Sequence, residues 1–543
     1  MQILAQSSPA RSQRLSPFTH FYYAVGAALV ISACAIFAID VLSLGMGQSI
    51  AVWQGFVGLT SGIAFVGWQQ QQAKTVPIAV LIITILGLFA LSLLLSGLCY
   101  DTSWDGQTYH QEAILQLAQG WNPIYTALGE SNVHSIWLDH YTKASWFLAA
   151  NLYKTTGQLE TAKAFNLIFL IGSGLLSVSV LSSVTRHAWM VSLLMTFNPI
   201  AISQVFNFTI DGQVASLLLC LGVSLFAIAL QAQNISQWLP IVICSIALLA
   251  NIKFTALAYA IVFAAGLIVW MYFNDRKRVG QVAFASILAI AISLVGLGYQ
   301  PYVTNLINQG NLFYPLTGAD KVDIISAQIP VDFVGKNRVE KFLRSTFAVS
   351  DATRNTTSQL KFPLSIQRRE LVAMIDGARV GGFGPWFAAA LCLAGVMVAR
   401  YAYQTARIGL FAIPCVILIS TLINPEAWWA RYVPQVWLLA PLALLLGKPQ
   451  KWISLALVCI LSFNSLLVVA PTAFATVRGN WRIHQQMQML SDVKQVAVKF
   501  DTFGGNRSRF IERSIAWKEV ETLPCPQAIQ FFKSNTQFCV LSK

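Results

Sequence analysis

The chain has 543 residues, 56% of them hydrophobic and only 11% charged, with a mean hydropathy of +0.60. A soluble domain carries about 25% charged residues, so this composition excludes one and points to an integral membrane protein. The net charge of +14 implies no nucleic-acid partner, because basic cytoplasmic loops are expected of any polytopic protein.

The first 17 residues are polar, with Arg11 and Arg14. The apolar run behind them has no small-residue cleavage pattern, so it reads as a retained span rather than a signal peptide. Runs of roughly 20 apolar residues then recur along the chain, long enough to cross the bilayer core. They predict an all-α polytopic fold of about 13 spans, near 20–43, 47–68, 75–99, 164–184, 188–203, 213–232, 237–252, 254–273, 281–299, 385–402, 408–423, 433–447 and 452–473. The run from 237 to 273 is too long for one span and is split at Asn251-Ile252-Lys253. With the N-terminus in the cytoplasm, Lys74, Arg186, NDRKR at 274–278, Arg400, Arg407, Lys448 and Lys451 all fall inside, as basic loops should.

Six segments follow: 1–99 with three spans, an outside loop 100–163, spans within 164–299, an outside loop 300–384, spans within 385–473, and an outside tail 474–543. The tail reads as a small mixed α/β domain, and acceptor docking is its suggested role. Seven cysteines lie in or beside apolar runs and read as small hydrophobes. Cys525 and Cys539 lie in the tail and would be free to pair if the tail is outside the cytoplasm.

The first outside loop opens SWDGQTYHQEAILQLAQGWNP. Residues 106–119 put Ala113, Ile114 and Leu117 on one face and stop at Gly120, and residues 140–156 repeat Ala144, Leu148 and Leu152 and stop at Gly157. Both read as helices ended by glycine that lie along the membrane surface. Asp105 stands at the start of the first. It is either an N-cap or a general base for an attacking hydroxyl, with Asp101 as its substitute. Tyr109 falls on the same face, beside His110 and Glu112 as substrate contacts. His110, His134 and His140 are three of the six histidines. Their spacing fits no closed zinc pattern, so no metal or other cofactor is required, a divalent ion being the alternative.

His140 and Lys143 open the second helix, and Lys143 is either a snorkelling side chain or a point charge for phosphate. Asp211 sits in a short outside turn, where an acid often marks a site. Lys253 interrupts a long apolar run at a cost of roughly 2.5–3.5 kcal/mol, which an anionic partner would offset. Arg431, in PEAWWARYVPQ, is either part of an aromatic belt or a phosphate-binding guanidinium. Asp376 and Arg379 are second-rank candidates, and Arg368-Arg369 suit lipid head groups.

The order of these motifs resembles the GT-C superfamily of polytopic membrane glycosyltransferases, the protein O-mannosyltransferases and lipid A aminoarabinose transferases among them. Asp105, Tyr109, Ala113, Leu117, Gly120 and Pro123 stand in that family's first-loop pattern, and Lys143, Asp211, Lys253 and Arg431-Tyr432 before Pro434 resemble its later motifs. Gly106 stands where the family often has a second acid. The resemblance covers roughly residues 100 to 440. It implies sugar transfer from a polyprenyl-phosphate donor on the non-cytoplasmic side, usually with inversion. Asp105 would be the base, Lys253, Arg431 and Lys143 would hold the donor phosphate, and Tyr109, His110, Glu112, His140, Asp211 and Tyr432 would contact substrate. The partners would be that donor, the bilayer, and a glycan, lipid or protein acceptor. The lack of long disordered tails suggests a bacterial inner membrane. A transporter or flippase of lipid-linked sugars is the main rival, and a lipid-linked glycan polymerase or ligase the next.

Overall fold

A computed structural model describes residues 17–230, 235–375, 377–405, 411–446 and 450–542. Arg11, Arg14, Asp376, Arg407 and Lys448 lie outside the described residues. Among those described, nine helices are long and apolar enough to cross a membrane. They are Phe18–Gly45, Ile78–Gly97, Leu159–Leu181, Asp211–Leu230, Ile235–Ile252, Phe254–Asn274, Arg276–Gly296, Phe387–Thr405 and Lys451–Ser491, with shorter apolar helices at Ala412–Leu422 and Pro434–Leu446.

The first of these is buried on most sides. It forms a hairpin with Val52–Ala73 through a Gly58-x-x-x-Gly62 face. A Cβ on Gly58 would lie 2.5 Å from the Ile36 nitrogen, and one on Gly62 2.6 Å from Ser32 Cα. Small residues let two helix backbones approach where lipid supplies no hydrophobic drive. Gly62→Leu should therefore split this hairpin and cost about 1–3 kcal/mol, the usual penalty of overpacking, read as a lower unfolding temperature in detergent.

Two sequence expectations change. The stretch 188–203 is two helices, Ala188–Thr196 and Pro199–Ser203. Asn198 caps the second by accepting the Ile200 amide at 3.0 Å, with Pro199 at its first position, where a missing N–H costs nothing. The last apolar run does not stop near 473. It continues as a 41-residue helix, about 60 Å long at 1.5 Å per residue, roughly twice the bilayer core. Its far end enters the tail, where Ile483, Met487 and Leu490 pack on Val496, Val498, Phe510 and Phe538.

The tail sheet has the order β2-β1-β4-β3, from β1 (Gln495–Lys499), β2 (Trp517–Glu519), β3 (Ile529–Gln530) and β4 (Gln537–Ser542). β1 and β2 are parallel, and β4 runs antiparallel to both β1 and β3. Cys525 and Cys539 are bonded.

The apolar face of the first loop helix is turned inward: Ala113, Ile114 and Leu117 are buried in the main hydrophobic core with Ala144 and Leu148 of the second. The tail docks on the same loop. Arg509 Nη2 donates to the Asp101 carbonyl at 2.6 Å and to Glu160 at 3.0 Å, and Glu160 also pairs with Lys163. The Tyr100 amide donates to Asn480 at 2.6 Å.

Glu512 accepts the Leu159 amide at 2.8 Å, and burial pushes its carboxyl from 4.5 up to about 7. Burial and the neighbouring Glu160 push Asp101 up to about 6. Both folded carboxyls hold protons that the unfolded chain releases. The Glu512 contribution to stability is therefore present below pH 4.5 and lost as the pH rises through about 7. Glu512→Gln should shrink the drop in Tm between about pH 5 and about pH 8.

Candidate functional site

Four separate stretches of chain bring one charge each to the same place. Asp211 is the first residue of its helix and fully buried, a position the helix dipole favours for an acid. Gln204 holds it at 3.1 Å. Lys253 has extended backbone, φ −153° and ψ 131°, so the chain breaks between two helices there, as its place in the apolar run suggested. Its ammonium pairs with Asp211 Oδ1 and lies 4.4 Å from the Tyr432 ring centroid. Arg431 sits in a short turn behind the stacked Trp428 and Trp429 rings. Its Nε donates to Asp211 Oδ2 at 2.7 Å and its Nη2 to Asp105 Oδ2 at 2.6 Å.

The two readings of Asp105 separate here. It occupies the N-cap position but has helical backbone and makes no cap hydrogen bond. Its carboxylate turns to Arg431 instead, with about a quarter of the side chain exposed. Gly106 leaves room for Asp101, whose Oδ2 lies 1.8 Å from where a Cβ would stand. A second acid at that position cannot fit.

The quartet lines a cleft of about 2120 Å³. Tyr109, on a π-helical turn with His110, meets the rings of Trp137, Tyr141 and Trp146, and burial raises its hydroxyl well above the ordinary range. His110 accepts from Trp146 Nε1 at 2.7 Å, and burial lowers it to about 4. Tyr432 lines the same wall, its carbonyl taking the Tyr259 hydroxyl at 2.6 Å.

Four expected site residues do not line the cleft. Lys143 is buried and points inward. Its ammonium donates to the Tyr141 and Asp139 carbonyls at 2.8 and 3.3 Å, over the Trp146 and Trp121 rings, and burial pushes it well below the usual lysine range. Asp101 is fully buried and accepts the Ser103 amide at 2.8 Å, bracing the loop that carries Asp105. Glu112 turns to Gln116 and Asn132, at 2.8 and 3.2 Å. His140 bonds Asn305 at 2.7 Å and braces the second loop.

His134 bonds the Thr502 carbonyl of the tail at 2.7 Å. The three histidines thus serve three different partners. Among the described residues no group of three or more His, Cys, Asp or Glu is placed to hold a metal.

No family model, curated protein or solved structure matches the chain.

Sequence reasoning missed Gln204 and the tail's share of the cleft wall. Gln204 was signalled only by an amide after a 16-residue apolar stretch, 188–203. Phe503 meets Trp104 at 5.0 Å between ring centroids, and nothing local predicts a partner some 400 residues away.

Proposed function

We propose that the protein is a glycosyltransferase of the GT-C type. It moves a sugar from a polyprenyl-phosphate donor to a glycan, lipid or protein acceptor on the non-cytoplasmic face. The observation that carries this is the chain Asp105–Arg431–Asp211–Lys253, set where span ends meet an open cleft. In this reading Lys253 and Arg431 bind the donor phosphate, and Arg431 Nη1 has no hydrogen-bond partner among the described residues. The phosphate competes for the guanidinium and frees Asp105. Asp105 takes the proton of the acceptor hydroxyl. The hydroxyl oxygen bonds to the anomeric carbon, and the carbon–oxygen bond to phosphate breaks opposite it. The electron pair leaves on polyprenyl phosphate, and the configuration inverts. No cofactor enters this scheme. The polyprenyl tail stays in the bilayer while the reacting carbon sits at its water face.

Thirteen crossings belong to this proposal: the nine long helices plus Val52–Ala73, the broken pair at 188–203, Ala412–Leu422 and Pro434–Leu446. The contacts support the three short crossings that follow residue 105. Asp105, Asp211, Arg431 and the Arg509 contact with Asp101 are mutually linked, so an even number of crossings must separate each pair. The proposed setting is a bacterial inner membrane, with the N-terminus in the cytoplasm and site and tail outside. The Cys525–Cys539 disulfide suits an oxidising compartment. A transporter would hold its substrate near the midplane, whereas these charges lie at span ends.

The test is purified protein in lipid with a panel of polyprenyl-phosphate sugars, read by mass spectrometry. One donor is expected to be consumed, and a panel left wholly intact over a broad range of sugars and acceptors counts against the reading.

A further inference from the structure

Among the described residues, seven Lys or Arg line the cleft against four Asp or Glu. The acids are already engaged. Asp105 and Asp211 hold Arg431 and Lys253. Asp323 caps its own turn through the Ile325 and Ser326 amides at 3.0 and 2.9 Å, and Glu426 takes the Trp428 indole N–H at 2.5 Å. The positive surplus therefore lies elsewhere on the wall, and two arginines of the second outside loop carry it beside the quartet.

Arg379 is held by neutral groups. Its Nε and Nη2 donate to Gln328 Oε1 at 2.9 and 2.5 Å, and its Nη1 to the Ala352 carbonyl. Five N–H groups make up a guanidinium, so two remain for a ligand. It lies 5.6 Å from the Trp429 centroid, and Arg431 lies 5.5 Å from the same ring. Arg354 is exposed and lies 5.9 Å from the ring centroid of Trp104, the residue before Asp105. Among the described residues no acid forms an ion pair with Arg354 or Arg379. The second loop is built to hold them: Asp351 caps the turn before Arg354 through Thr353, at 2.7 Å, and its carbonyl takes the Arg379 amide at 2.7 Å.

Arg354 and Arg431 repel Arg379, and Asp105 and Asp351 offset this from a distance without pairing with it; an anionic ligand in direct contact would recover the rest, and guanidiniums suit phosphate geometry. We propose that Arg354 and Arg379 form a second phosphate subsite beside the Arg431–Lys253 pair. On the glycosyltransferase reading, on which this rests, the bound substrates together carry two phosphoryl groups. The second belongs either to a diphosphate-linked donor or to a phosphorylated acceptor.

The test uses the full-length protein in phosphatidylcholine nanodiscs. Four probes are titrated: polyprenyl phosphate, polyprenyl diphosphate, a phosphorylated disaccharide and its unphosphorylated parent. Arg354→Gln, Arg379→Gln and Lys253→Met are compared with wild type. Arg354 is exposed and makes no hydrogen bond among the described residues, so its variant reports binding rather than folding.

If the donor supplies the group, wild type binds diphosphate about tenfold or more tighter than monophosphate, as a charge-assisted contact warrants, and the arginine variants close the gap. If the acceptor supplies it, the two lipids bind alike and the phosphorylated disaccharide outbinds its parent only where both arginines are present. Gaps that persist in both arginine variants, or no gap at all, overturn the proposal. In that case weaker polyprenyl-phosphate binding in Lys253→Met still upholds the first site. If wild type binds no polyprenyl phosphate, the glycosyltransferase reading falls, and the disaccharide pair alone decides the subsite.

Discussion

Asp105→Asn is expected to lower donor turnover about 10²–10⁴-fold, the usual contribution of a general base, while donor binding stays close to wild type. The substitution keeps the shape and an oxygen that can still accept from Arg431, 2.6 Å away in the wild type. It removes only the ability to take a proton. The effect should therefore fall on kcat and kcat/KM together, the mark of an interaction made in the transition state. Neighbouring acids offer no easy replacement. Asp101 faces the loop interior, and both Asp211 oxygens are already engaged, by Lys253 on one side and Arg431 and Gln204 on the other. A fully active Asp105→Asn protein would mean that the base is another group.

Arg431→Gln should hurt twice. Arg431 is the shared partner of Asp105 and the fully buried Asp211. Removing one partner of a buried ion pair costs about 3–5 kcal/mol. The arginine side chain is 24% exposed and Asp211 keeps Lys253, so solvent screening puts the loss at the lower end. Polyprenyl-phosphate binding should fall as well. Asp105→Asn added to Arg431→Gln should restore part of the stability, because Asp105 has no other ion-pair partner among the described residues whereas Asp211 keeps Lys253, but none of the binding. Thermal unfolding and a donor titration on the three proteins separate the two effects. Unchanged donor binding in Arg431→Gln would remove this arginine from the phosphate site.

The residues that could be read from sequence are those that are expensive where they stand. Lys253 and Asp211 interrupt or open apolar runs, and a charge there needs a partner, so each was marked as a site residue from cost alone, whereas their pairing with each other came only from the structure. Lys143 carried the same kind of signal and turned the other way. Carbonyls of Asp139 and Tyr141 and two indole faces serve it from within, and spacing does not say which way a side chain leaves a turn. Gly106 looked like a departure from a pattern, and only the position of the Asp101 carboxyl explains it. The break at Asn198-Pro199 was available in the letters, since proline after a capping residue opens a helix. The docking of the tail was not. Arg509 reaches Asp101 across 408 residues of chain, and such a pairing depends on how all the intervening spans pack.

What separates a transferase from a transporter is whether a sugar–phosphate bond is broken. The direct measurement uses the protein in sealed vesicles, with a sugar-labelled polyprenyl-phosphate donor added on the face that carries the site. Both the lipid product and the location of the label are followed. A glycosyltransferase yields free polyprenyl phosphate and label joined to acceptor on the same face, and neither is expected in Asp105→Asn. Intact donor carried to the opposite face, with no polyprenyl phosphate released, would contradict this and make the protein a transporter.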